Sequence, residues 1–307
     1  MSSIVGSVDN DAVSIEDDAP LLQVMSHLGI DKDALLGIGG EACVFALGED
    51  RIARVHHPGA ARETVARRAQ LLDDLHRSAG AVPFSIPRVL EITEAHGRVL
   101  TIEPRLAGRP LLHVLGEVAG AERDNLLVRF LDASTRLCAL RLDHAWYGDL
   151  CEAEPIRASC HRSYLEQRAR KSLACAGSAF AGVDPARLAA ALPEPVGPSF
   201  VHLDLFPGNV LVEDQEVSAV IDFGGPCVLG DARLEPLSAV CYLTPFITPT
   251  ATARDRRLAR EWLEGQHLGA LLEPAERWLA ARWSFARDDV SLHRWCQRVL
   301  LGPAAPP

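Results

Sequence analysis

The segment FVHLDLFPGNVLV, Phe200–Val212, with VIDFGG following at Val220–Gly225, restricts what this chain can fold into more than any other stretch. Two apolar runs frame a short polar insert, the pattern of strands joined by a tight turn. Phe206, Pro207 and Gly208 supply the turn, because proline fixes its own φ and glycine tolerates conformations other residues avoid. The insert holds His202, Asp204 and Asn209, and Asp222 comes thirteen residues after Asn209. Taken singly, each is an ordinary core histidine, or a turn or cap residue. Taken together, they set two carboxylates and an amide in one register. One carboxylate can accept a proton from an alcohol, and the other, with the amide oxygen, can hold a hard cation.

Periodicity divides the rest of the chain. Residues 1–17 are expected to form a flexible acidic tail, with Asp9, Asp11, Glu16 and Asp17 and no basic residue. Asp18 stands at a helix N-cap, with Pro20 in the first turn and Leu21, Leu22, Met25 and Leu28 at helical spacing. ALLGIG, CVFALG and RIARVHH, separated by glycine-containing turns, predict an antiparallel meander. AARETVARRAQLLDDLHRS predicts one amphipathic helix, and RVLEITEAHGRVLTIEPRL two more strands about a His-Gly turn. Residues 111–195 are mainly helical in pattern until LPEPVGPS breaks them. FVHLDL and NVLVEDQEVSAVIDFGG then predict strands, the second carrying a hairpin at Glu213–Glu216. From about residue 235 the chain is helical again and carries four of the five tryptophans. The expected fold is α+β with two lobes. Residues 18–105 form a small antiparallel β-sheet lobe with one main helix, and residues 106–307 a larger, mostly helical lobe. A linker near residues 103–110 joins them, leaving a cleft suited to a ligand.

GIGGEACVF contains Gly37, Gly39, Gly40 and Ala42, which match a dinucleotide-binding fingerprint. That fingerprint must open a helix, whereas CVFALG reads as a strand. A glycine loop between antiparallel strands is how protein-kinase-like folds cover ATP phosphates; the plain alternative is a hairpin that only turns. The next strand should supply a cation to the phosphates. RIARVHH has no lysine, and Arg54 takes the place with a permanent charge and a fork that suits phosphate oxygens. The acid that would orient this cation is missing from the following helix: Glu63 lies near its start, and Arg68 stands where spacing puts a glutamate. Phosphoryl transfer accounts for the set. Asp204 is the expected base, Asn209 and Asp222 the expected magnesium ligands, and His202 a structural brace of the loop.

HLDLFPGNVLV…VIDFGGPCVLGD resembles the signature of the aminoglycoside phosphotransferase family, small-molecule kinases with a protein-kinase-like fold. The family pattern is H-x-D-x-x-x-x-N, then I-D-[FW], then a Gly-Asp pair, here Gly230-Asp231; the likeness covers roughly residues 35–240. It implies ATP (or GTP) and Mg²⁺ as cofactors, with Gly37, Gly39, Gly40 and Arg54 at the phosphates. It implies adenine against backbone groups around Glu103 to Arg105, and an acceptor on the helices of the larger lobe. Leu203 replaces the arginine of protein kinases, and no A-P-E segment follows DFGG, so the acceptor is expected to be a small molecule. The expected activity is transfer of the γ-phosphate to a hydroxyl of an aminoglycoside or other antibiotic or natural product. The alternatives are a metabolic kinase of choline, homoserine or sugar type, and a catalytically silent nucleotide-binding module.

The formal net charge of −10 disfavours sequence-independent nucleic-acid binding and favours a cationic small molecule. Eight cysteines form no CxxC pair and are read as reduced thiols of a cytoplasmic protein, monomer or dimer. No apolar run approaches the roughly 18 residues of a membrane span. Asp149, Glu152, Glu154, Glu235, Asp288 and Asp289 are candidates for a cationic pocket, though acids mostly lie on surfaces. Trp262, Trp278, Trp283 and Trp295 are expected in the core, with a sugar-stacking wall as the alternative.

Overall fold

A computed structural model describes residues 18–302; the expected acidic tail lies outside the described residues. The helices are α1 (Ala19–Leu28), α2 (Arg62–His76), α3 (Leu111–Glu117), α4 (Gly120–Leu137), α5 (His161–Ala176), α6 (Pro185–Ala190), α7 (Leu234–Tyr242), α8 (Ala253–Gly265), α9 (Leu272–Trp283) and α10 (Val290–Leu301). The strands are β1 (Leu35–Ile38), β2 (Ala42–Leu47), β3 (Arg51–His56), β4 (Glu91–Ala95), β5 (Arg98–Pro104), β6 (Arg109–Pro110), β7 (Tyr147–Asp149), β8 (Arg157–Ala158), β9 (Ser199–Val201), β10 (Val210–Glu213), β11 (Glu216–Val220) and β12 (Val228–Gly230).

The N-terminal lobe is an antiparallel sheet in the order β1-β2-β3-β5-β4, so the expected meander and the pair about His96-Gly97 join one sheet. Asp18 caps α1, accepting from the Leu21 amide at 3.0 Å, and pairs with Arg98 at the start of β5. Leu21, Val24 and Met25 then bury against Cys43, Phe45, Val55 and Leu100 of the sheet. α2 turns Leu71, Leu72 and Leu75 into the main core instead. That core is one cluster, shared with α3–α10 and the short C-terminal sheets.

Two small sheets, β11-β10-β6 and β8-β7-β12-β9, support the cleft from the C-terminal lobe. Between β5 and β6 the backbone approaches β10 closely. Gly108 has φ +108°, and a Cβ there would lie 2.9 Å from the Val212 carbonyl oxygen, so only glycine fits. A second tie runs from the Ser85 amide to the Ser218 carbonyl (2.9 Å) and from the Val220 amide to the Ser85 carbonyl (3.0 Å).

Three local expectations change. The strand starting at Phe200 stops at Val201, because Leu203 adopts a left-handed backbone, φ 59°, which a strand cannot contain. Asp222 likewise stands past the end of β11, with φ 65°. The 111–195 stretch includes β7 and β8, strands too short to show a period. Among the described residues, no helix is long and apolar enough to cross a membrane. All eight cysteines are free, and five of them (Cys43, Cys151, Cys227, Cys241 and Cys296) are buried.

Candidate active site

The loop after β9 is held by its own backbone and by a buried acid. Phe206 donates to the Asp204 carbonyl at 3.1 Å and Asn209 to the Phe206 carbonyl at 2.9 Å, closing the Pro207–Asn209 turn. His202 is fully buried. Its Nδ1 accepts from the Asp204 amide at 3.3 Å, so Nε2 carries the proton and donates to the Ile221 carbonyl at 3.1 Å. Burial pushes the imidazole down to about 4, so it is neutral at physiological pH. Its ring meets Phe223 edge-on at 4.7 Å. The Ile221 amide donates to the Asn209 carbonyl at 2.9 Å. His202 and Asn209 therefore fasten the Asp204 loop to the Asp222 loop, and the expectation of His202 as a brace fits this geometry. The Asn209 amide nitrogen donates to the Asp204 carbonyl at 2.9 Å and to the Asp204 carboxylate at 3.2 Å. Both side-chain bonds use the nitrogen, so the amide oxygen keeps its acceptor capacity.

Glu235, at the start of α7, is fully buried. Its Oε2 accepts from the His202 amide at 2.5 Å and the Leu203 amide at 3.2 Å, while Oε1 has no partner among the described residues. Burial raises its carboxyl to about 7, against the pull of the two amides. Glu235, a candidate for a cationic pocket with a surface position as the alternative, is neither: it is buried and holds the amides of the two residues before Asp204. The sequence did carry a signal, because this acid shares the apolar helix LEPLSAVCY with Leu234, Leu237 and Val240. Asp149 is also fully buried, accepting from Tyr164 Oη at 2.8 Å and the Ile156 amide at 3.0 Å, and cannot face a ligand. Glu152 pairs with Arg168 at 3.2 Å and keeps 30% of its side chain exposed. Asp289 caps α10 through the Leu292 amide at 2.9 Å. Trp278, Trp283 and Trp295 are core residues, and Trp262 is partly buried with its indole on Asp132.

Across the cleft, Gly39 closes the β1–β2 turn by donating to the Ala42 carbonyl at 2.8 Å, beside Gly37 and Gly40. His57 clasps the same turn: its amide donates to the Glu41 carbonyl at 2.9 Å and its Nε2 to the Gly39 carbonyl at 2.7 Å. The Glu41 carboxylate reaches to 4.0 Å from where a Cβ on Gly224 would lie. Burial, together with the Asp222 charge, raises its carboxyl. Sequence reasoning missed Glu41, which has no counterpart in the glycine pattern.

Arg54 donates to Asp222 Oδ1 at 2.7 Å, both side chains being almost enclosed. Its Nε has no partner among the described residues. The absent helix acid has a different answer. Arg68 on α2 is buried and forks onto Glu103 of β5, at 2.6 and 3.2 Å, while its Nε donates to the Phe223 carbonyl at 2.9 Å. Burial alone would raise the Glu103 carboxyl, but Arg68 outweighs it and holds the group at about 2. The helix contributes the cation and the sheet the acid, the reverse of the expected order. The Glu103 side chain is therefore committed to the lobe's own structure. The Arg105 amide donates to the Asp50 carbonyl at 2.8 Å, so that part of the expected adenine contact is already taken.

Residues 35–256 match the phosphotransferase enzyme family, and the chain belongs to it. No curated protein matches the sequence. Solved structures share the fold. A thermostable mutant of aminoglycoside phosphotransferase APH(4)-Ia superposes with TM-score 0.60 at 18% identity, covering 93% of this chain and 99% of that one. The streptomycin–ATP ternary complex of APH(2")-IIa gives 0.54 at 14% identity, covering 97% and 98%. A Plasmodium vivax ethanolamine kinase gives 0.52 at 10% identity, covering 97% and 93%.

Proposed function

We propose that the protein transfers the γ-phosphate of ATP or GTP, with Mg²⁺, to a hydroxyl of a small natural product such as an aminoglycoside. The observation that supports this reading is the cross-linking of the two loops through His202, Ile221 and Asn209, which ties the loop of Asp204 and Asn209 to the loop that carries Asp222. Asp204 accepts the acceptor's hydroxyl proton. It is oriented by the Asn209 amide and by the backbone that Glu235 holds.

The donor set suits a hard cation: a carboxylate from Asp222 and an amide oxygen from Asn209. When bound, Mg²⁺ neutralises charge developing on the phosphates. Arg54, the cation of β3, would meet the phosphates through its guanidinium fork. Arg54 and Asp222 pair with each other, so Arg54 would turn to the phosphates and Asp222 to the metal when both are bound. Gly37, Gly39 and Gly40 cover the phosphates, and the backbone from Glu103 onward carries the base.

The net charge of −10, with the partly exposed Glu152 and exposed Glu154 after β7, favours a cationic acceptor. The test is transfer from ATP and from GTP across aminoglycosides, macrolides, peptide antibiotics, choline, homoserine and sugars, read by mass spectrometry. Phosphorylation of an amine-bearing natural product is expected. Transfer confined to the metabolic alcohols would replace the acceptor class, and nucleotide binding without any transfer would leave a silent module.

A further inference from the structure

α9 lies beyond the family-matched segment, which ends at residue 256, yet it reaches both loops of the cleft. The Trp283 indole donates to Tyr242 Oη at 2.7 Å, and that hydroxyl donates to the Leu203 carbonyl at 2.8 Å. Leu203 is the left-handed residue directly before Asp204. A leucine with φ 59° is held against a steric cost, and only fixed partners on both sides of its backbone keep it there. Those partners are Glu235 on its amide and Tyr242 on its carbonyl. The neighbouring Arg282, 1% exposed, donates to the Pro226 carbonyl at 2.6 Å, in the turn that follows Asp222. That turn is closed by the Cys227 amide on the Gly224 carbonyl at 3.0 Å, and the Cys227 carbonyl accepts from Leu150 at 3.1 Å. Two adjacent residues at the end of one helix thus each grip a loop carrying a predicted reactive residue.

We propose that Trp283, acting through Tyr242, and Arg282 are positioning residues for phosphoryl transfer, setting Asp204 and Asp222 respectively. An acid one residue beyond a strained carbonyl moves whenever that carbonyl is released, so the relay's effect falls on the geometry of the transition state. It does not fall on nucleotide affinity, because neither residue faces the glycine turn or the linker. The activity part of this inference rests on the function proposed above.

The experiment uses the full chain with Tyr242→Phe, Trp283→Phe and the double variant. Tyr242→Phe removes only a hydroxyl, so folding is preserved. Hydrogen exchange over residues 202–209, which needs no acceptor, should speed up about fivefold in Tyr242→Phe, the size of the one neutral hydrogen bond lost to the Leu203 carbonyl, and by a smaller factor in Trp283→Phe, which keeps that bond but no longer orients the hydroxyl. The double variant should be no faster than Tyr242→Phe alone, because the indole acts through the hydroxyl. With the acceptor found above, kcat should fall by a similar factor while KM for nucleotide holds. For Arg282→Lys, which can still donate to Pro226, kcat should stay closer to wild type than for Arg282→Met. Unchanged exchange over 202–209, or exchange that rises uniformly through the lobe with kcat intact, would overturn the proposal. If wild type transfers nothing, the function is refuted, and the exchange measurement decides the positioning alone.

Discussion

Arg68→Met isolates the charge that ties α2 to β5 and to the Asp222 loop. Both partners of its ion pair are buried, Arg68 at 4% and Glu103 at 2% exposure, so solvent screens the pair little. A Glu103 carboxyl held at about 2, against an ordinary 4.5, corresponds to about 3 kcal/mol of stability at neutral pH, each tenfold in acidity being worth about 1.4 kcal/mol. The sign follows from the depressed folded-state value. This stability is present above 4.5 and is lost as pH falls toward 2, with about 1 kcal/mol gone by pH 4. Removing Arg68 alone leaves Glu103 a buried charge with the Thr101 hydroxyl as its hydrogen-bond partner and only the more distant Arg54 as a compensating charge. The expected loss is about 3–5 kcal/mol by urea unfolding at pH 7. In Arg68→Met/Glu103→Met, most of that stability should return, since apolar replacements of a buried pair are often neutral. The extra loss at pH 4 should also vanish relative to wild type. Activity should not return, because the bond from Arg68 Nε to the Phe223 carbonyl is gone in both variants. A single variant within about 1 kcal/mol of wild type, or a double variant as unstable as the single, would refute the reasoning.

Other outcomes follow from the same contacts. Glu235, raised to about 7 by burial, costs the fold stability as pH climbs from the ordinary 4.5 through 7. In Glu235→Gln the decline between pH 5 and 8 should therefore be smaller, and parallel unfolding curves would contradict this. Arg54→Met leaves Asp222 without its cation, so Mg²⁺ alone should raise the melting temperature more in the variant than in wild type; equal responses would count against the pairing. Gly108→Ala forces a Cβ against the Val212 carbonyl at a positive φ, and should cost about 2–3 kcal/mol in urea unfolding; a neutral substitution would mean the linker is free to move.

The sheet lobe was legible because β2, β3 and β5 are short apolar runs bounded by glycine-bearing turns, and α1 announced itself through Asp18 and Pro20. His202, Asp204 and Asn209 were legible because one short loop fixes their spacing, and Asp222 because a single tight hairpin, β10–β11, separates it from them. The supports were not. Glu235, Arg68, Tyr242 and Trp283 reach the loops from 32 to 155 positions away in sequence, where no local period records them. Arg68 was visible only as a misfit on α2, and the acid that answers it sits on β5. β7 was read as part of a helical stretch because three residues are too few to show alternation, and its Asp149 is buried by Tyr164 and Arg168 of α5. The left-handed Leu203 likewise has no signature, since leucine is not a residue that marks such a backbone.

The most direct measurement is single-turnover transfer from γ-labelled ATP and GTP by wild type and Asp204→Ala, with nucleotide binding measured by calorimetry on the same preparations. Both proteins should bind the Mg²⁺–nucleotide with similar affinity, and only wild type should transfer label to the acceptor at an appreciable rate, the variant being slower by about 10²–10⁴-fold. Equal transfer by the two proteins, or binding by both with transfer by neither, would contradict the account.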